Sequence, residues 1–319
     1  MIKYLIFGGT GSLGKTLVKR LIGHYNEVYV FARGEEKHHK IKLAFPKVNC
    51  IIGDVRDYDA VEKAIFTIEP DVIINCAAMK QVPLAEDWPE EAVLTNVQGA
   101  INVAKAANKF TKKAMRVLSI STDKVVKPVN SYGMTKALQE RIHLRAQNSS
   151  KKHIFNCVRY GNVLESTGSV IPVFKDRLKA KLNLQVTHKD MTRFLLSLDE
   201  AVDLIEEALE DFEGQKIFVP FVKSAKIDDL AKAMINEYAS DNEVEYTSIR
   251  PGEKLHELLI SEEELGRTYY NDYKKIFIIF DIKSNFKSKQ LGKEYSSGDP
   301  EYIMSPEELR LFLIEKEAI

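Results

Sequence analysis

The chain is expected to fold as an α/β protein built on a doubly wound parallel sheet. Three observations predict this. Short apolar runs alternate with segments of helical spacing six times between residues 3 and 162. The runs are continuous in Val and Ile instead of alternating polar with apolar, so helices should cover both faces of the sheet. A glycine-rich turn, GGTGSLG (8–14), follows the first run at once and opens the first helical segment.

In chain order, YLIFGG (4–9) reads as a buried strand ending in a turn, and KTLVKRLI (15–22) as a helix. EVYVFA (27–32) and VNCIIGD (48–54) are the second and third strands, and DAVEKAIFTI (59–68) the next helix. DVIINCAA (71–78) is the fourth strand, EEAVLTNVQGAINVAKAANKF (90–110) a long helix and MRVLSIST (115–122) the fifth strand. YGMTKALQERIHLRAQN (132–148) is a helix and HIFNCVRYGN (153–162) the sixth strand. Each βαβ unit is expected to cross over right-handed.

The rhythm then breaks. GSVIPVFKDRLKAKL (168–182) is a loop with an amphipathic helix, and SLDEAVDLIEEALED (197–211) a helix with Ser197 and Glu200 as its capping box. KIFVP (216–220) is a strand, KIDDLAKAMINEY (226–238) a helix and SPEELRLFLIEKEA (305–318) a final helix, while the residues from Ser284 onward are polar. The expected division is a Rossmann-type dinucleotide-binding domain over 1–163, with 194–218 returning to it. A smaller mixed α/β substrate domain takes 164–319.

Lys+Arg and Asp+Glu balance at 46 each, so no global charge draws the chain to nucleic acid or an anionic membrane. No apolar run is long enough to span a bilayer, and MIKYLIFGG is too short for a signal peptide. Cys50, Cys76 and Cys157 each sit in an apolar run and read as buried small side chains, with no metal site and no disulfide. The expected compartment is the cytoplasm.

The glycines of GGTGSLG let backbone N–H groups approach a pyrophosphate at the positive end of a helix, which makes Gly8, Thr10, Gly11, Ser12, Leu13 and Gly14 cofactor-binding candidates. Where a carboxylate would accept from a ribose 2′-OH, this chain has FARGEEK. Arg33 occupies that place, with Lys37 nearby, which suits a 2′-phosphate and favours NADP; Glu35 and Glu36 keep NAD as the alternative. Asp54, with Val55 beside it, is placed either to meet the adenine or to cap the next helix. Ala77 and Ala78, small residues ending the fourth strand, let a ribose pack closely, and Lys80 follows them.

The stretch STDKVVKPVNSYGMTK (121–136) carries the reacting groups. Tyr132 and Lys136 are four apart on a helix and share a face, where an ammonium lowers the pKa of a phenol from ~10 towards working pH. Thr122 can hydrogen-bond the same substrate oxygen. This set supports hydride exchange between a secondary alcohol and a nicotinamide. Asp123 and Lys124, an acid beside an amine, are surplus to that chemistry.

The segments GGTGSLGK, GDVRD, NCAAMKQVPLAED, STDKVVKPVNSYGMTK, VRYGNV, GSVIPVF, DMTRFLLSLDEAV and IRPGEKLHE together resemble the extended short-chain dehydrogenase/reductase family. More narrowly, they resemble its C5-inverting UDP-N-acetylglucosamine 4,6-dehydratases. The resemblance implies oxidation at C4 with Tyr132 taking the O4 proton, removal of the C5 proton by a neutral Lys124, and donation from protonated Asp123 to the departing C6 hydroxyl. Hydride then returns to C6, giving an L-arabino 4-keto-6-deoxy sugar; a lysine where retaining relatives carry glutamate marks the inversion.

For substrate, the resemblance implies Lys80 on cofactor and sugar, Asn162 on the phosphates, Ser169 and Val170 in the loop around the sugar, Arg193 and Arg250 on the diphosphate or ribose, and Glu253 on a ribose hydroxyl. His256 is read as structural. Leu164-Glu165-Ser166-Thr167 departs from the family's small residues, and Glu165 would set an acid near the sugar or phosphates. A UDP-sugar 4-epimerase, needing Tyr132 and Lys136 but not Asp123-Lys124, is the competing activity. Relatives form dimers, and sometimes hexamers, so a homo-oligomer is expected, with helices 90–110 and 132–148 as the interface and exposed apolar residues as its mark.

Overall fold

A computed structural model describes every residue except His24, Lys151 and 282–291. Its six expected strands are β1 (Lys3–Phe7), β2 (Glu27–Ala32), β3 (Asn49–Ile52), β4 (Val72–Asn75), β5 (Arg116–Ile120) and β6 (Ile154–Val158). They pair in parallel in the order β3-β2-β1-β4-β5-β6. The direction of winding reverses at β1, between β2 and β4, and that reversal opens a crevice beyond the strands' carboxyl ends.

Why the sheet is buried on both sides is visible in β1 alone. Successive strand side chains point to opposite faces. Tyr4 and Ile6 join Leu17, Val18, Val202 and Ile205 on one side, under the helices Ser12–Leu21 and Leu198–Leu209. Leu5 and Phe7 join Val61, Ile65, Val103 and Phe110 on the other, under Tyr58–Ile68 and Gly99–Lys109. The Leu198–Leu209 helix carries the expected capping box, with Ser197 N donating to Glu200 Oε2 at 2.7 Å and Glu200 N to Ser197 Oγ at 3.1 Å.

The sheet continues past β6. Lys216–Pro220 pairs parallel to it, and Ile276–Phe280 and Thr268–Asn271 add antiparallel, making nine strands. A smaller layer lies over the carboxyl ends, with its own core of Leu164, Ile171, Phe174, Leu230, Met234, Leu309 and Leu313. It contains a short sheet of Ser224–Lys226, Thr192–Leu196 and Asn162–Val163.

The structure differs from the sequence reading at several elements. A helix, Glu35–Ala44, fills the stretch after β2, its apolar face reduced to His38 and Ile41. Cys50 is exposed, because β3 is the sheet's edge; Cys157 is buried as expected. The long helix is interrupted by a π-helical turn, Val93–Gln98, between Pro89–Ala92 and Gly99–Lys109. Of the polar tail, 284–291 lie outside the described residues, and the chain beyond them is packed: Tyr295–Ser296 pairs with Leu258–Ile260, and Tyr295 and Tyr302 are buried against Phe194, Phe221 and Phe277.

Candidate active site

The glycine turn is built by close approach. Gly8 has φ +73°, and a Cβ there would stand 2.7 Å from the Ala77 backbone nitrogen. A Cβ on Gly14 would stand 2.3 Å from Gly9 O, so helix and turn touch through backbone. Gly11 caps the helix without a side-chain hydrogen bond, leaving first-turn N–H groups for an anion. Thr10 is buried in the turn. The Ser12 hydroxyl is engaged by Thr167, at 3.0 Å from its Oγ1 and 3.1 Å from its N. This cradle, beside Ala77 and Ala78 at the end of β4, fits a dinucleotide pyrophosphate.

Arg33 follows β2 with its side chain 61% exposed and Asp54 Oδ2 at 3.7 Å. Lys37 stands exposed on the next helix, and Glu36 pairs with Lys40. Asp57, accepting from the N–H groups of Asp59 and Ala60, is the cap of the following helix, which removes that reading for Asp54. Arg56 holds the Asp54 carboxylate from N at 3.0 Å and Nε at 2.8 Å. Burial raises the Asp54 pKa, but the Arg56 hydrogen bonds and charge outweigh it and leave it lowered. Val55 packs against Gly99, and its carbonyl accepts from Asn102 at 3.0 Å. Lys80 follows Ala77 and Ala78 with an exposed side chain, and partial desolvation depresses its pKa.

Thr122 ends the fifth strand segment and caps a single 3₁₀ turn, Asp123–Val125. Asp123 is fully buried; its Oδ1 accepts from Thr122 Oγ1 and Lys124 Nζ, both at 2.9 Å, and its Oδ2 has no partner. Lys124 Nζ also lies 3.6 Å from Glu257 Oε1. Burial lowers the Lys124 pKa, but Asp123 and Glu257 together raise it above the ordinary value, so the resting residue is an ammonium and not the neutral amine expected from the sequence.

Asn130 caps the helix Ser131–Ala146, which presents Tyr132 and Lys136. The expected pairing of their charges is not what the structure shows. Burial pushes Tyr132 up to about 12, and it is Lys124 and the Thr122 hydroxyl that pull it back. Lys136 is itself pushed down to about 8 by burial. Its Nζ donates to Ile120 O at 2.5 Å and Gln139 Oε1 at 2.6 Å.

The sequence reading passed over two further residues. Asn96, in the π-helical turn, receives Met79 N at 2.8 Å and donates to Met79 O at 3.1 Å and Thr135 Oγ1 at 2.9 Å. It ties the segment after β4 to the helix Ser131–Ala146, and a local helix irregularity is where such a residue is found. Glu257, within IRPGEKLHE, is buried against Lys124.

On the substrate side, Arg193 is buried and spends its guanidinium on carbonyls: Thr192 O at 2.7 Å, Leu255 O at 3.2 Å and Lys254 O at 3.0 Å. It pins the 250–257 loop. Arg250 is 63% exposed and free to reach, with Glu253 3.9 Å away. Gly252, at φ +74°, packs on Asn130, whose Nδ2 donates to Gly252 O at 2.7 Å. The 250–257 loop is thus fixed to the N-terminus of the helix Ser131–Ala146. Asn162 Oδ1 and Ser169 Oγ are buried without partners, and Val170 starts the helix that Ser169 leaves uncapped. Glu165 is paired with Lys175 at 2.5 Å, so its charge is not free to repel a phosphate. His256 hydrogen-bonds Thr192 Oγ1 at 2.8 Å under Gly298, a structural place.

The polysaccharide biosynthesis protein family matches residues 4–280. The chain belongs to this family of nucleotide-sugar epimerases and dehydratases, within the extended short-chain dehydrogenase/reductases. It is 41% identical over 272 residues to a UDP-glucose 4-epimerase of Rickettsia massiliae, covering 82% of this chain and 79% of that one. It is 38% identical over 321 residues to an uncharacterized membrane protein of Methanocaldococcus jannaschii, covering 94% and 91%. Among the described residues no helix of the present family member is long and apolar enough to cross a membrane. Among solved structures, Pen from Bacillus thuringiensis superposes with a TM-score of 0.91 at 33% identity, covering 100% of this chain and 98% of that one. The protein is an enzyme of this nucleotide-sugar family.

Proposed function

We propose that this enzyme is an NADP-dependent, C5-inverting 4,6-dehydratase of UDP-N-acetylglucosamine. The observation that carries the reading is the Asp123–Lys124 pair: an acid with an unpartnered oxygen and an amine, buried together on the turn beside Tyr132. A surface ion pair would be solvated on both sides; here Asp123 is fully buried and the Lys124 side chain is only 19% exposed.

Bound dinucleotide supplies the hydride acceptor at C4 and the hydride donor at C6. Tyr132 takes the O4 proton, with Thr122 orienting the oxygen. One proton moving along the 2.9 Å Lys124–Asp123 hydrogen bond turns the resting ion pair into a neutral amine and a carboxylic acid. That is the pair needed to remove the C5 proton and protonate the departing C6 hydroxyl. Protonation of C5 from the opposite face then inverts it. Exposed Arg33 suits a 2′-phosphate, and Arg250, Lys80, Asn162 and Ser169 suit a nucleoside diphosphate.

A second reading, UDP-sugar 4-epimerase, is supported by the name of the Rickettsia relative. Incubation with UDP-N-acetylglucosamine in D₂O separates the two. Loss of water, a C6 methyl signal and deuterium at C5 with L-arabino couplings is the dehydratase outcome. An unchanged mass with a gluco/galacto mixture rejects dehydration in favour of epimerisation.

A further inference from the structure

Glu257 is a buried carboxylate with no assigned purpose, 3% exposed. Its backbone is clamped by the returning C-terminal segment, Glu257 N donating to Ser297 Oγ at 2.9 Å and Ser297 N to Glu257 O at 2.8 Å. Its side chain receives no such help. Oε1 lies 3.6 Å from Lys124 Nζ, and Oε2, 3.8 Å from Lys254 Nζ, has no hydrogen-bond partner. A buried carboxylate left short of hydrogen bonds is costly, and in a packed protein such a group marks a purpose.

The surroundings define that purpose. Lys124 faces Asp123 on its own turn, Glu257 and Lys254 from the 250–257 loop, Arg193 from the strand Thr192–Leu196, and Tyr132 from the catalytic helix. Lys254 donates to Val126 O at 2.5 Å, and Arg193 is held by three carbonyls and lies 3.6 Å from Glu253 Oε1, so both cations are tied to the 250–257 loop and its neighbours. Asp123 changes charge during dehydration. Glu257 is the one acid touching Lys124, among the described residues, that need not.

We propose that Glu257 is a positioning residue for dehydration: a fixed negative charge that holds the Lys124 amine in place and stabilises the ammonium formed when it takes the C5 proton. In that step the C5–H bond breaks and an N–H bond forms at Lys124. The C5–H electron pair becomes the C5–C6 double bond, the C6–O bond breaks, and its oxygen takes the Asp123 proton and leaves as water. Asp123 becomes a carboxylate and Lys124 an ammonium, so the charges return to the resting arrangement and Glu257 stays anionic throughout. This rests on the dehydratase reading, and a pair of measurements separates the two.

Glu257→Gln keeps the shape and removes the charge; Glu257→Asp keeps the charge. The first measurement needs no turnover. The pH dependence of acetic anhydride labelling at Lys124, read by peptide mass spectrometry on the full chain, reports the amine pKa directly. It is expected to fall by ~1 unit or more in E257Q and to recover in E257D, as loss of an opposite charge at this distance requires. The second measurement compares water loss with reduction of bound dinucleotide under single turnover. Their ratio is expected to fall ~10-fold or more in E257Q, the step tied to Lys124 suffering the larger loss. An unchanged Lys124 pKa overturns the inference, as does a lowered pKa with an unchanged ratio. If the wild-type enzyme removes no water from any nucleotide sugar, the dehydratase reading and this step fall together, while the labelling still decides whether the two residues are coupled.

Discussion

Replacing Lys124 with Met tests both the stability and the chemistry of the reacting turn. The ammonium sits 2.9 Å from Asp123 and 3.6 Å from Glu257. With an effective dielectric near 20, those separations correspond to about 6 and 5 kcal/mol of attraction. Desolvation of the buried groups cancels much of this, and removing one partner of such a set typically costs about 3–5 kcal/mol. Two nearly inaccessible carboxylates are then left with only Thr122 on one and a distant Lys254 on the other. K124M is therefore expected to melt lower than wild type at pH 7.5. In single turnover with UDP-N-acetylglucosamine, the variant is expected to oxidise C4 more slowly, because the Lys124 charge helps pull Tyr132 down. The reduced dinucleotide, followed at ~340 nm, should then persist, since without water loss C6 cannot accept the hydride. Water loss within about tenfold of wild type would refute Lys124 as the base, because losing a general base should cost 10²–10⁴-fold or so. An unchanged melting temperature would refute the charge accounting.

Arg33→Ser should weaken NADP binding by about 10–100-fold and leave NAD within about twofold, read by titration calorimetry, because a charged hydrogen bond to phosphate contributes ~1.5–3 kcal/mol. His143 is fully buried, with neither ring nitrogen partnered, and burial pushes its pKa from 6.5 down to about 3. The unfolded chain binds a proton across that window and the native one does not, so stability falls as pH drops below 6.5. The His143 contribution to that loss is about 1.4 kcal/mol at pH 5.5, and H143L should lack it in urea melts at matched pH. Leu84, Trp88, Met134 and Leu138 are 50%, 61%, 50% and 54% exposed on and beside the helices expected to carry an oligomer interface. The double variant M134E/L138E should sediment as a monomer while wild type sediments as a dimer or larger.

What could be read from the chain depended on how local the cause was. β1, β2, β4, β5 and β6 announce themselves as apolar runs because their residues pack into the cores on the two faces of the sheet, and the capping box at Ser197 is written within four residues. Asp123, Lys124, Tyr132 and Lys136 are legible for the same reason: one turn and one helix place them, and both lie in a single stretch of sequence. The edge strand β3 deceived because its Cys and Ile look like core residues, whereas burial depends on what pairs beyond them. The tail looked solvated because its few anchors, Tyr295, Tyr302, Leu309 and Leu313, are spaced among charges.

Electrostatic roles were the least legible, since they are set by neighbours distant in sequence. Tyr132 and Lys136 share a helix face, yet the cation that lowers the phenol is Lys124, brought by the 3₁₀ turn together with Asp123, which raises it. Arg193 reads as a phosphate clamp in isolation; three carbonyls around it make it a fastener for the 250–257 loop. The role of Glu257 comes from the same geometry. Arg193 and Ser297 hold its loop from either side, and Asn130 joins that loop to the catalytic helix. The segment furthest along the chain thus helps fix a carboxylate against the lysine of the reacting turn. A truncation before Ser297 would therefore act on that turn through Glu257, by removing the Ser297 hydroxyl and N–H that clamp the Glu257 backbone.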